Sequence, residues 1–393
     1  MPDTYRPLQA PRRLLMGPGP SPVEPRIYEV MRQPIVGHLD PFFFEVVSDI
    51  HDLLDETFST KNNFTVAISG TGTSGMETAV SNFVESTTKV CVFANGFFCD
   101  RISDMVRRQG AELVRLEKEW GENFSGDEAR DFILREKPGV VAFVHAETST
   151  GIVQPGKAIC DAAHEVGALV ISDEVTSLAN IPVNIDETGV DIAYSCSQKG
   201  LACPPGLAPV TISPKALAWL RARESMNRSF YMDLKLLDDY FLSGHRYHHT
   251  APVSMFYALR EALVIVHEEG LENRFRRIET NHRAFVAAIE AMGMKMLVPE
   301  GSRLYALNTP CVPEGVDDGK VRQRMMAGDN IEILGGFGPL AGKVWRIGIM
   351  GAGSTKENVL LLLDSFERAL RAEGYQPPAS GKQAAEAFYA AQS

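Results

Sequence analysis

An alternation constrains this chain more than any other feature. Short apolar, β-branched runs are separated by segments of helical spacing from residue 64 to residue 212. Phe64 to Ser69, Lys89 to Ala94, Glu112 to Leu116, Val140 to His145, Ala168 to Ser172, Asp191 to Ser195 and Leu207 to Ile212 read as strands. Ser74 to Val84 and the stretch up to Arg108 read as helices, as does the segment in which Cys160, Ala163 and Val166 share a face. Runs that stay apolar at successive positions suit strands covered on both faces. The expectation is an α/β fold with a mostly parallel sheet sandwiched by helices. Such sheets take their ligands beyond the carboxyl ends of the strands.

The rest of the chain follows a different rhythm. Residues 1–20 are broken by prolines and read as an irregular N-terminal arm, and residues 42–58 read as an amphipathic helix. From Pro252 two long helical patterns, Ser254 to Glu269 and Glu272 to Met292, are separated by the helix stop Gly270. Lys295 to Val298, Arg303 to Leu307, Glu332 to Leu334 and Lys343 to Gly348 read as short strands, and Lys356 to Glu373 as a helix. This divides the chain into the arm, a large domain over 21–275, a smaller α+β domain over 276–375, and a polar, alanine-rich tail over 376–393.

Charge and cysteine usage exclude several partners. With 39 basic and 50 acidic residues the formal net charge is -11, which argues against nucleic acid or acidic membrane surfaces as non-specific partners. No apolar run approaches the roughly 20 residues that span a bilayer. Prolines and glycines from Gly17 to Pro22 leave no room for a secretory apolar stretch there. The six cysteines include no C-x-x-C pair, so a reduced, cytoplasmic protein is expected. Adjacent His248 and His249 do not suggest a metal site, because sequence neighbours rarely face one ion.

Three clusters carry the chemistry. Gly70-Thr71-Gly72-Thr73-Ser74-Gly75 follows a strand and opens a helix, a setting that favours phosphate. A dinucleotide would also need an acidic residue at the end of the next strand, but Asn95-Gly96 stand there, so a single phosphate is the better guest. Asp173 ends an apolar strand, in Ser172-Asp173-Glu174-Val175. Lys199 follows 26 residues later in Ser197-Gln198-Lys199, just before the tight turn Cys203-Pro204-Pro205-Gly206. A phosphate cradle, a strand-end aspartate and a fixed lysine together suit pyridoxal phosphate (PLP). Lysine links to the cofactor aldehyde, aspartate keeps the ring nitrogen protonated, and the helix terminus takes the phosphate. The lysine must lose its proton to attack a carbonyl, so a lowered pKa is expected.

Several segments in order also resemble one family. They are Leu15 to Pro20, Ile68 to Gly72, Ala94 to Gly96, Glu147 to Gly151, Gly189 to Asp191, Ser197 to Lys199, Pro204 to Gly206, Tyr247 to Thr250, and Gly335 to Pro339 running on to Arg346-Ile347-Gly348. On these the chain is similar to class V, fold-type I PLP-dependent aminotransferases, most of all the alanine–glyoxylate and serine–glyoxylate aminotransferase family, over roughly residues 12–375. The resemblance implies that Lys199 carries the cofactor and shuttles a proton, and that Asp173 meets the pyridine nitrogen. Phe98, where many members have tryptophan, would stack on one ring face and Val175 on the other. Thr148 would lie near the 3-hydroxyl, and Thr71, Gly72, Thr73 and Gln198 would bind the phosphate. Tyr247 and Thr250 would reach the neighbouring subunit's site in a homodimer. Arg346 would clamp the substrate carboxylate, its planar fork suiting bidentate binding, with Gly19 of the arm on the substrate side.

Two positions depart from the family pattern: Thr73 stands where some members have histidine, and Glu174 where serine or alanine is usual. Strand alternation points Glu174 away from the ring. Taken alone, Arg346 also reads as a structural ion-pair arginine, and His145 as a hydrogen-bonded structural histidine. The expected reaction moves an amino group from alanine, serine or another small donor, ureidoglycine included, to glyoxylate or pyruvate by ping-pong kinetics. The alternatives are a PLP lyase or cysteine desulfurase using Cys311, a nicotinamide oxidoreductase, and a non-catalytic protein on the same scaffold.

Overall fold

Mostly apolar strands build a seven-stranded sheet, and a computed structural model describes it together with the rest of residues 8–392. Its strands are β1 (Phe64–Ser69), β2 (Lys89–Ala94), β3 (Glu112–Glu117), β4 (Val140–Val144), β5 (Leu169–Asp173), β6 (Ile192–Tyr194) and β7 (Leu207–Ile212). They lie in the order β1-β7-β6-β5-β4-β2-β3. The β2, β3, β4, β5 and β6 pairings are parallel; β7 alone runs against both its neighbours. Every residue of β1, β4, β5, β6 and β7 is buried, as strands sandwiched between helices require. The first core cluster extends from Ile27 to Val266 and includes Phe43 and Phe256, whose rings meet edge-on at 5.1 Å.

Helix α1 (Pro41–Phe58) starts with Pro41 just inside its N-terminus and is capped by the Asp40 carboxylate, which accepts from Phe42 N at 2.9 Å. Helices α2 (Gly72–Phe83) and α3 (Phe97–Arg108) each leave the carboxyl end of a strand. Helix α4 (Val253–Glu269) stops at Gly270, whose φ of +80° suits glycine, and α5 (Leu271–Ala291) begins at once.

A second cluster forms around Trp345, whose ring meets Phe366 edge-on at 5.0 Å. It covers a three-stranded antiparallel sheet of β8 (Leu307–Asn308), β9 (Leu334–Gly335) and β10 (Trp345–Gly348), in the order β8-β10-β9. Helices α6 (Lys356–Ala372) and α7 (Gly381–Gln392) pack there with α5.

Local pattern misread four segments. Arg303 to Leu307 does not form a strand: Leu304 N is taken by Gly151 O at 2.8 Å, and only Leu307–Asn308 pair with β10. Lys295 to Val298 makes one isolated bridge, Met296 to Pro310. The arm is not wholly irregular, for Leu14–Leu15 pair in parallel with Ile331–Glu332 and bury Met16 in the second cluster. The tail contains α7, because Ala385 and Tyr389 fall one turn apart and bury against the cluster. Residues 1–7 and 393 lie outside the described residues.

Candidate active site

The parallel strands present one set of loops at a single edge, those after β1, β2, β4, β5 and β6. Asp173 ends β5 beside Tyr194, its register partner at the end of β6. Tyr194 Oη donates to Asp173 Oδ2 at 2.8 Å, and Val175 N donates to Oδ1 at 2.8 Å. The carboxyl is 2 % exposed. Burial pushes its pKa up to about 7, against the two hydrogen bonds and with help from Glu147 and Glu174.

Lys199 follows β6 by five residues. Its ammonium donates to the carbonyl of Pro18 in the arm. Burial lowers its pKa; Cys196 and Asp173 oppose that shift and Arg346 reinforces it. Gly19 packs directly on this side chain, with a φ of +117° and space for a Cβ only 2.6 Å from Nζ. Arm and lysine are also tied at Ser21, whose Oγ donates to Lys199 O at 2.8 Å.

The glycine loop joins the same group. Gly70 N donates to Gly206 O at 2.9 Å, fastening the loop to the turn after Lys199. A Cβ on Gly72 would lie 3.1 Å from Cys196 Cβ and 3.1 Å from Val175 Cγ2. The N-terminus of α2 therefore sits against both the aspartate segment and the lysine segment. Thr71 caps no backbone donor with its side chain, while the Thr73 hydroxyl accepts from Arg101 at 3.0 Å. Gln198 Oε1 is buried and accepts no hydrogen bond.

Phe98 lies in the first turn of α3, and Thr148 is buried just beyond β4. Between them lies Glu147, a fully buried carboxylate that the sequence did not single out. It accepts from Phe98 N at 3.1 Å and from Ser149 N at 2.9 Å, and a Cβ at Gly96 would stand 2.3 Å from its Cγ. Asn95-Gly96 was the available signal: glycine is needed because Glu147 fills the space. Tyr194 was also missed, since a strand-end tyrosine gives no local hint of its neighbour strand.

Arg346, on β10, is 3 % exposed. Its Nε donates to Gly335 O at 2.8 Å, and its guanidinium lies 3.7 Å from the Phe337 ring centroid. Burial lowers its pKa to about 10, with Glu147 pulling the other way. Among the described residues no carboxylate pairs with it, so the reading as a structural ion pair does not hold.

Glu174 turns away from this group. Its carboxylate accepts from His145 Nδ1 at 2.6 Å, from Ser172 Oγ at 2.5 Å and from Ser177. Burial alone would raise its pKa, but His145 and the hydroxyls outweigh that and hold it low. His145 is hydrogen-bonded within the protein, and its pKa is raised by Glu174 against the effect of burial. Tyr247 is 62 % exposed and Thr250 is exposed; among the described residues no contact brings either to Lys199. Among the described residues no three metal-ligating side chains gather, and His248 Nδ1 instead faces His249 Nδ1 at 2.8 Å.

The family model described as Aminotransferase class-V matches residues 35–326. The chain belongs to that family. Relatives agree along most of their length. An (S)-ureidoglycine–glyoxylate transaminase of Bacillus subtilis is 37% identical over 93% of this chain and 92% of its own. An alanine–glyoxylate aminotransferase of Felis catus is 35% identical over 93% and 89%. The solved alanine–glyoxylate aminotransferase of a Nostoc species superposes with a TM-score of 0.92 at 43% identity, covering 94% of this chain and 98% of that one. As a class-V aminotransferase the protein is an enzyme of amino-group transfer, and the family implies PLP. The residues present fit that group: a helix N-terminus at Gly72 and Thr73 set against the segments of Asp173 and Lys199, where a Cβ on Gly72 would crowd Val175 and Cys196, and a buried carboxyl suited to a cationic ring nitrogen. A cysteine desulfurase shares the fold at a TM-score of 0.73 and 13% identity. Among the described residues no helix is long and apolar enough to cross a membrane.

Proposed function

We propose that this class-V aminotransferase moves the amino group of a small amino acid, alanine, serine or ureidoglycine, to glyoxylate. The observation that carries the reading is the junction at Gly72, where the phosphate-type loop meets the segments bearing Asp173 and Lys199. PLP held there would supply an electron sink for the donor Cα–H bond and hold the amino group between two half-reactions. Asp173 would hold the positive charge of its ring nitrogen, and Phe98, Val175 and Thr148 would hold the ring. Thr71, Gly72, Thr73 and Gln198 would hold its phosphate. Lys199 would hold the cofactor aldehyde and move the proton at the donor Cα, which its lowered pKa favours. Arg346 binds the substrate carboxylate as a bidentate partner; its having no carboxylate partner among the described residues supports this.

Glyoxylate and the donors are supported by the names of the relatives, and by an arginine fork suited to one carboxylate. The desulfurase reading needs a thiolate, but burial raises the Cys311 pKa and the residue is bridged to Val344. Two exposed family-pattern residues, Tyr247 and Thr250, support a homodimer in which each reaches the partner's site. Six unpaired cysteines support a cytoplasmic protein. A matrix of alanine, serine, ureidoglycine and cysteine against glyoxylate and pyruvate tests the substrates. Parallel-line initial-rate plots with glyoxylate are the expected result; sulfide release from cysteine in place of amino transfer would overturn it.

A further inference from the structure

Arg101 lies in the first turns of α3, and nothing in the sequence marked it. Its Nη1 donates to the Thr73 hydroxyl at 3.0 Å, at the N-terminus of α2. Its guanidinium carbon stands 4.9 Å from the Phe98 ring centroid and 5.3 Å from that of Phe97. The acids nearest in sequence are engaged elsewhere: Asp100 pairs with Arg115 at 2.6 Å, and Asp104 with Arg108 at 2.8 Å. Among the described residues Arg101 pairs with no carboxylate. It is a half-buried cation, held over the stacking aromatic and against the phosphate loop, with its charge uncompensated.

The loop needs such a charge. Thr71, Gly72, Thr73 and Gln198 are all neutral donors. The phosphate of PLP carries nearly two negative charges at neutral pH, its second pKa lying near 6. Lys199 is turned to the arm carbonyl and is the amine that links to the aldehyde. A helix N-terminus contributes only about half a charge. We infer that Arg101 is a cofactor-binding residue that orients Thr73 and supplies the cation for the phosphate. This rests on the PLP reading above.

The test titrates the apoprotein with PLP and, separately, with pyridoxal, which lacks the phosphate, following the visible absorption of the bound aldehyde. Arg101→Gln is expected to weaken PLP about 10- to 100-fold, the worth of one or two charge-assisted hydrogen bonds, and to leave pyridoxal unchanged. Arg101→Lys should recover much of the loss. Added sodium chloride should weaken PLP binding to the wild-type protein more than pyridoxal binding, and this arm decides the matter should Arg101→Gln not fold. Equal weakening of both aldehydes would mean that Arg101 only supports Phe98, and would overturn the inference. So would unchanged PLP affinity in Arg101→Gln, or salt responses that are the same for both aldehydes. Failure of the wild-type protein to bind PLP at all would instead defeat the reading on which the inference rests.

Discussion

Gly19→Ala tests the role of the arm by crowding Lys199 without replacing it. Gly19 has a φ of +117°, and a Cβ there would lie 2.6 Å from Lys199 Nζ, 2.7 Å from Cδ and 2.8 Å from Cε. Ordinary contact begins near 3.4 Å. The lysine is the flexible partner, so its amine must retreat by about 0.8 Å, and its hydrogen bond to Pro18 is lost. A misplacement of about 1 Å at a reacting group costs on the order of 100-fold in rate. The strained φ adds about 1–3 kcal/mol of instability. The expected variant is folded and cofactor-loaded, with kcat for glycine formation from alanine and glyoxylate reduced about 100-fold. Glycine is measured by chromatography, folding by urea denaturation. A folded variant within about threefold of the wild-type kcat would refute the claim that the arm sets the position of the amine.

Replacing Arg346 with leucine should lower kcat/KM for the donor by about 100- to 1,000-fold, the loss of two charge-assisted hydrogen bonds; steady-state kinetics with alanine would check this. Glu174→Gln removes the charged partner of half-buried His145 and should cost about 1–3 kcal/mol in urea denaturation, while PLP affinity changes little, because the carboxylate faces His145 and two hydroxyls. Asp173 gives a pH signature in the apoprotein. Its folded pKa of about 7 exceeds the unfolded value of 3.8, so the folded state binds the extra proton between these values and loses stability as pH rises through that window. Apo Asp173→Asn should lack that decline, a difference on the order of 3 kcal/mol between pH 5 and pH 8, read from urea denaturation at the two values.

Much of this was legible locally. Asp173 and Lys199 each follow an apolar strand, and the glycine loop links a strand to a helix, so residue pattern alone brought them to one sheet edge. What escaped depends on contacts distant in sequence. Glu147 is recognisable only through the space it takes at Gly96, and Tyr194 only through its pairing with Asp173 on the adjacent strand. Arg101 looks like any surface helix arginine until α2 is set beside it. The two-residue strand at Leu14–Leu15 carries too short an apolar pattern to announce itself; it exists because Ile331–Glu332 offer a free edge. Helix α7 hid behind a polar composition, since only Ala385, Tyr389 and their neighbours on one face meet the core.

The central claim is that Lys199 is the amine to which the cofactor is bound. Borohydride reduction of the PLP-loaded protein, followed by proteolysis and mass spectrometry, addresses it without reference to substrate or rate. The expected product is one pyridoxyl-modified peptide carrying Lys199, absent from Lys199→Ala. Modification of a different lysine, or an adduct that persists unchanged in Lys199→Ala, would contradict it.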